Sequence, residues 1–497
     1  MKLRAINRLN LSRAPAPHGT AALALAGVGV MVCLLATASV RSASDKRAIR
    51  YDDLPVQLCA WLDGLNIRRE TFATQIDAID RQTDQRELRG EYDHLIFFLL
   101  QSSRFTRQPK IEPAVSAYEF TQGLTEAERA RFLADGSDDL PPRERIPHPV
   151  NARIADFLKA LRRPGDDVRL NYFAGFLRQT APDAAAPAQH LQHEYARSMR
   201  FLYRKEFASR AVRREELAAF VASLYQSRGH STDTQVEANF AVHNALAALK
   251  AGDKARSLES KLNKVLIVGP GLDFAPRTDL IDLFGPQSYQ PFAVADALLS
   301  LQLADRGRLQ IHCVDINDRV IAHLQNLRRK NEVTLSLLSG IKDNPAHPLT
   351  DDYKNYFREF GKSIGVLGTE RSLEVPAQFA AHLKKALRVR PEIISAINVD
   401  KLNIITERYQ DSPQYDLVVV TNVFPYFGAP ELLFALTNIA AMMVDGGYLV
   451  HNELQTIPAD FVTPLGLPLQ QTRTVMIASG GNAPLFDGVA VHRKVSR

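Results

Sequence analysis

Cysteine is scarce, with three in 497 residues. Cys33 lies in an apolar run near the start, and Cys59 and Cys313 are far apart, so neither a disulfide framework nor the paired spacing of a zinc site is present. A chain this poor in cysteine is compatible with export without demonstrating it. His190 and His193 have a spacing that suits a metal but lack a third ligand, so they read as surface residues and no metal is implied. Charge of one sign is also lacking: 61 Lys+Arg stand against 55 Asp+Glu, a net +6 that is small for this length. There is no basic stripe interleaved with aromatics, so no nucleic-acid partner is indicated. Arg197, Arg200, Arg204 and Lys205 cluster on one helix, but Glu194 and Glu206 sit among them and the cluster reads as a solvated face. Internal repeats and low-complexity tracts are missing.

What is present begins with a leader. Lys2, Arg4, Arg8 and Arg13 precede an uncharged run from Thr20 to Val40, roughly the length a helix needs to cross a bilayer. The run ends in Ala36-Thr37-Ala38, the small-x-small pattern of a signal-peptidase site. A cleaved export signal and a retained membrane anchor (residues 1–40) therefore both stand. Arg41, Lys46, Arg47 and Arg50 follow the run, so flanking charge does not orient it.

The length calls for more than one ordinary core. Residues 51–225 show helical periodicity, as in RIADFLKALRR, where Ile154, Phe157, Leu158 and Leu161 form one face. Leu95–Leu100 is apolar throughout and reads as a buried central helix, whereas 136–149 and 181–189 read as loops. From 226 the texture changes. Thr234-Gln-Val-Glu237 has the form of a capping box opening a helix through Leu249. Apolar strands then alternate with helix-length segments at 265–269, 309–315, 415–422 and 446–453, which means βαβ units and a parallel sheet. Residues 473–479 and 488–494 are two short strands joined by a Gly-rich turn, so the sheet ends on an antiparallel hairpin. The expected fold is α/β, a Rossmann-like sheet at 226–497 with an insertion at 328–395, behind a mostly α-helical domain.

The first strand runs into Gly269-Pro270-Gly271-Leu272-Asp273. Glycine allows a sharp turn and a close backbone approach to a ligand at the carboxyl edge of the sheet. The second strand ends at Asp315, an acid placed to accept hydrogen bonds from the ribose hydroxyls of an adenosine, or else to cap the next helix, a duty Asp318 could also serve. Phe274 stands where a dinucleotide loop has its third glycine, so no diphosphate cradle is indicated. A cofactor without phosphate, S-adenosylmethionine (SAM), is consistent with that absence.

With these motifs in hand, residues 226–497 resemble class I SAM-dependent methyltransferases. Asn422, Val423, Tyr426 and Phe427, followed by Gly446-Gly447-Tyr448-Leu449 and Glu453, are similar to blocks of the chemotaxis-receptor glutamate methyltransferases. The whole chain resembles a group of bacterial methyltransferase-like proteins with an N-terminal extension. The resemblance implies that Gly269, Pro270 and Gly271 pass under the methionine part of SAM and that Asp273 reaches its amino group. It implies Asp315 on the ribose, Ile316 on adenine, Asp400 on the adenine amine, and Asn422 facing the methyl group. Three departures stand out. Thr421 replaces an arginine, Ile267 stands where many relatives have an acid, and GHSTDT (229–234) takes the place of a Thr-x-Phe-Phe-Arg segment.

Methyl transfer to a carboxylate needs no general base, whereas transfer to a hydroxyl or amine usually does. Tyr426, His451 and Glu453 are the candidates for a catalytic role, each equally readable as a packing or capping residue; Asn422 joins them by position. The expected activity is methyl transfer from SAM to an unknown acceptor, a protein or small molecule, with a protein carboxylate suggested by the resemblance. Two alternatives stand: an exported, non-catalytic binding module of the same fold, and an aminopropyltransferase, which would need an acid where Asn422 stands. The insertion 328–395, with Tyr356, Phe357 and Phe360, reads either as an acceptor site or lid, or as an extra helix covering the sheet.

Overall fold

The computed structural model describes residues 45–134, 140–181, 187–252, 261–276, 279–368, 373–410, 415–452, 457–480 and 484–496. The leader, its apolar run and Glu453 lie outside the described residues. Among the described residues no helix is long and apolar enough to cross a membrane.

The central sheet has seven strands: β1 (Lys264–Val268), β2 (Gln310–Asp315), β3 (Ile397–Lys401), β4 (Tyr415–Val420), β5 (Met443–His451), β6 (Leu469–Ala478) and β7 (Leu485–Arg493). Their spatial order is β6-β7-β5-β4-β1-β2-β3. β3, β2, β1, β4 and β5 are parallel. β7 returns antiparallel to β5 and pairs with β6 as a hairpin. Runs such as Val265-Leu-Ile-Val268 and Leu417-Val-Val-Val420 have no polar face because both sides of a parallel sheet are covered. Ile267, at the position of the missing acid, is fully buried in β1.

Helix α1 (Phe72–Gln101) is the long element before the sheet, and its segment Leu95–Leu100 is buried on every side. It is followed, among others, by α2 (Val168–Thr180), α3 (Pro187–Glu206) and α4 (Arg214–Ser227). One apolar cluster joins α1, α2 and α3 to the sheet, with Phe98, Phe173 and Leu191 alongside Val265, Ile311 and Leu417. The basic residues of α3 are occupied: Arg197 pairs with Asp93 and Glu194, Arg200 lies over Phe132, and Arg204 over Phe220.

Two sequence expectations need correction. Helix α5 runs from Ala238 to Gly252, later than a Thr234–Glu237 capping box would start it. Glu237 instead accepts hydrogen bonds from the Gly340 amide (2.8 Å) and the Tyr353 hydroxyl (2.8 Å), both in the insertion. The insertion is more than an extra helix. Strands 333–342, 382–389 and 365–367 form a separate antiparallel sheet beside the helix Asp351–Glu359. Tyr356, Phe357 and Phe360 pack inside it, with the Tyr356 and Phe360 rings stacked.

Candidate functional site

Every parallel strand ends at the same edge, and a cavity of about 1640 Å³ opens there. Ligand pockets are usually about 300–1,000 Å³, so this one has room for more than one small molecule. Its floor comes from the strand tips: Val268, Gly269 and Gly271 after β1, Val314, Asp315 and Ile316 at β2, and Asn422 and Val423 after β4. Arg228 and His230 to Gln235 form one side, and Thr83 and Glu87 of α1 another. The far wall is mixed: Pro113, Leu202, Leu217, Val221 and Tyr225 line it together with Glu112, Glu206 and Arg214. None of the described residues of 328–395 lines it.

Gly269 and Gly271 both adopt positive φ (68° and 73°). A Cβ at 269 would lie 2.7 Å from Val423 Cγ2, and one at 271 would lie 2.9 Å from Thr234 Cβ. The glycines therefore let two protein segments close onto the loop, in addition to leaving it low at the cavity floor. The Leu272 amide donates to the Thr232 carbonyl (2.6 Å), and the Thr232 hydroxyl donates to the Leu272 carbonyl (3.1 Å). This lacing fixes GHSTDT against the glycine loop. Pro270 is buried and does not line the cavity. Phe274, in place of the third glycine, lies under the Arg319 guanidinium at 4.1 Å.

Asp315 sits at the tip of β2 on the cavity wall. The cap of the following helix, α6 (Asp318–Lys330), is Asn317, whose side chain accepts from the Arg319 and Val320 amides. Asp315 is thus relieved of the capping role, as is Asp318. One of its oxygens takes the Asn317 amide at 2.9 Å. Burial pushes its pKa up to about 6. Ile316 lines the cavity beside it.

Asn422, also with positive φ (59°), lines the cavity at the tip of β4. Its backbone N–H donates to Asn452 Oδ1, and Asn452 Nδ2 donates back to Asn422 Oδ1, both at 2.8 Å. Tyr426 is a buried wall residue whose hydroxyl accepts from the Ser231 amide at 3.3 Å. Burial raises its pKa. His451 is buried against His492, with their Nε2 atoms 3.0 Å apart, and burial followed by this neighbour lowers its pKa to about 3.

Besides Pro270, two expected cofactor residues lie outside the cavity lining. Asp273 borders a smaller space of about 50 Å³, 3.4 Å from the Tyr289 hydroxyl, and burial pushes its pKa to about 7. Asp400 is outside the cavity lining. Its carboxylate accepts from His312 Nε2 (2.8 Å) and the Tyr409 hydroxyl (3.2 Å).

Several site residues have no motif to announce them. Arg86 is buried and donates to the carbonyls of Tyr225, Arg228 and Tyr426. Glu91 is buried and takes Arg319 (2.6 Å), Asn317 (2.7 Å) and the Tyr172 hydroxyl (2.7 Å). A Cβ on Gly90 would fall 1.8 Å from the His230 carbonyl oxygen, so α1 and GHSTDT cross in direct backbone contact. Both ring nitrogens of His230 and the Nε of Arg228 are buried without a hydrogen bond to any described residue.

The sequence matches no family model, and no curated protein matches it. Similar solved structures do exist. One is the N-methyltransferase NodS from Bradyrhizobium japonicum WM9 with S-adenosyl-L-homocysteine (12% identity, TM-score 0.25, 51% of this chain and 86% of that one). A second is magnesium protoporphyrin IX methyltransferase from Synechocystis PCC 6803 with bound SAM (10%, 0.25, 53% and 86%). A third is a TehB-like SAM-dependent methyltransferase from Corynebacterium glutamicum (12%, 0.24, 59% and 98%). Each of these three is a methyltransferase. Identities and scores this low leave the weight on the strand order and the cavity.

Proposed function

We propose that this protein is a SAM-dependent methyltransferase. The observation that carries the reading is Asp315, an acid at the tip of β2 that faces the cavity while Asn317 performs the helix cap. The residues present suit the group. Asp315 has an oxygen for the ribose hydroxyls, and Ile316, Val314 and Leu402 give an apolar seat for a purine. Asp233, on the cavity wall with its buried Oδ1 3.5 Å from His94 Nδ1, supplies a carboxylate suited to an ammonium group. SAM carries an already activated methyl group, so the chain's work is alignment and exclusion of water. The laced glycine loop and the paired Asn422–Asn452 amides hold the cavity floor rigid for that purpose.

Tyr426 acts as an anchor for Ser231 in this reading, since its hydroxyl is buried, bonded and harder to ionise than usual. The mixed far wall offers apolar contacts from Leu202, Leu217 and Val221 and charge from Glu112, Glu206 and Arg214, and it leaves the carboxylate suggested by the chemotaxis enzymes as one option among acceptors. Aminopropyl transfer is disfavoured by Asn422, whose side-chain oxygen is already taken by Asn452. Titration calorimetry of the full chain with SAM and with S-adenosylhomocysteine tests the proposal. Binding is expected, and Asp315→Ala is expected to weaken it at least tenfold, since a hydrogen bond to a charged group is worth about 1.5–3 kcal/mol. No heat at millimolar ligand, or an unchanged affinity in the variant, would overturn the assignment.

A further inference from the structure

Helix α1 presents Asp80, Thr83, Glu87 and Glu91 along one side, three or four residues apart. The two outer acids hold the loops that border the nucleoside end of the cavity. Asp80 accepts from Asn403 Nδ2 (2.8 Å) and the Thr406 hydroxyl (2.7 Å), pinning the loop after β3. Glu91 accepts from Asn317 and Arg319, pinning the loop after β2. Thr83 and Glu87 lie between these anchors and line the cavity, together with Asp315, Ile316, Leu402 and Asn403.

Glu87 differs from its two neighbours in having no hydrogen bond to any described residue. Meanwhile Asp400, the acid that the resemblance would put on the adenine amine, is held by His312 and Tyr409 away from the cavity. Among the described residues lining the cavity there, an adenine between the β2 and β3 loops would therefore meet a carboxyl without a hydrogen bond, and it comes from α1. We infer that Glu87 accepts the hydrogen bond of the adenine exocyclic amine, so that the helical region supplies part of the nucleoside site. The inference rests on the SAM reading above. Burial pushes the Glu87 pKa up to about 7; nearby Lys401 works against that rise, and the charges of Glu91, Asp318 and Asp315 add to it.

The test is calorimetry on the full chain with two probes, S-adenosylhomocysteine and its 6-oxo counterpart, S-inosylhomocysteine. Wild type is expected to prefer the amino probe by about tenfold or more, because a site built for an N–H donor is left unpaired by the oxo group. Glu87→Ala is expected to lose that preference and bind S-adenosylhomocysteine about tenfold more weakly. Glu87→Gln, which keeps an acceptor oxygen and the side-chain shape, is expected to retain part of the preference. Thermal unfolding of each variant checks folding, and the wild-type comparison needs no variant. Equal affinity of wild type for the two probes, or an unchanged preference in Glu87→Ala, would overturn the Glu87 assignment while leaving SAM binding standing. Failure of wild type to bind either probe would remove the SAM reading and this inference together.

Discussion

Asp315 and the two loop glycines show how much a single residue's surroundings decide. The folded pKa of Asp315 is about 6 against an ordinary 3.8, raised by burial. For a raised acid the ligand-free fold is favoured at low pH, and this contribution is lost as pH rises through about 6. Binding has the opposite sign, because the ionised carboxylate is the better acceptor. Affinity for S-adenosylhomocysteine is therefore expected to fall as pH drops through about 6, and Asp315→Asn should flatten that part of the calorimetric profile. A profile equally steep in the variant would show that another group controls it. At Gly271, alanine would meet both a positive φ and Thr234 Cβ at 2.9 Å. A cost of about 1–3 kcal/mol in urea unfolding is expected. These positions were legible in the sequence because glycine after β1 and an acid ending β2 are marked by the strands beside them. Glu87, Arg86 and Glu91 were not, since nothing local in a long helix says which charged side will face a sheet edge. Asp400 was legible as an acid ending β3, but its capture by His312 depends on a pairing across strands.

At the scale of elements, regular periodicity was readable and irregular partnership was not. Four of the five parallel strands and the terminal hairpin follow from apolar runs and turn residues, with boundaries shifted by a few residues; β3 is too short and polar to be marked that way. The Glu237 side chain could not be read as an insertion anchor, because its partners, Gly340 and Tyr353, are distant in sequence. The insertion's separate sheet was likewise obscured by half-polar strands such as His382–Val389, whose charged residues interrupt the apolar run. Helix α1 is joined to α6 mainly through Glu91 and Arg319, whose side chains are 6% and 7% exposed. Burial alone would raise the Glu91 pKa, but the Arg319 guanidinium outweighs it and holds the value at about 2. For a lowered acid the stabilisation is complete above the ordinary value of about 4.5 and disappears as pH falls towards 2. Arg319→Met strands a buried carboxylate, and a loss of about 3–5 kcal/mol is expected by urea unfolding at neutral pH. A loss below about 1 kcal/mol would mean that water reaches Glu91, and that the pair behaves like a surface ion pair.

For the whole molecule, the question is whether the helices before residue 226 are an appendage or part of the same folding unit. Several contacts cross that point, and they differ in kind. The apolar core passes from Phe98 and Phe173 into the sheet. Gly90 and His230 touch backbone to backbone. Ser102 and Ser103 donate to Asp282, and Arg169 donates to the Phe284 carbonyl. Arg86 satisfies carbonyls on both sides, at Tyr225 and Tyr426. Separating residues 226–497 would expose the apolar surface that α1 covers, leave Arg319 without its carboxylate and remove Thr83 and Glu87 from the cavity. The full chain is therefore expected to unfold in one cooperative calorimetric transition. The fragment 226–497 expressed alone is expected to aggregate or to show no cooperative unfolding, because exposed core surface of this kind drives association. Two resolved transitions in the full chain, or a monomeric fragment that melts cooperatively and binds S-adenosylhomocysteine at full-chain affinity, would show instead that the sheet folds and builds its site without the helices.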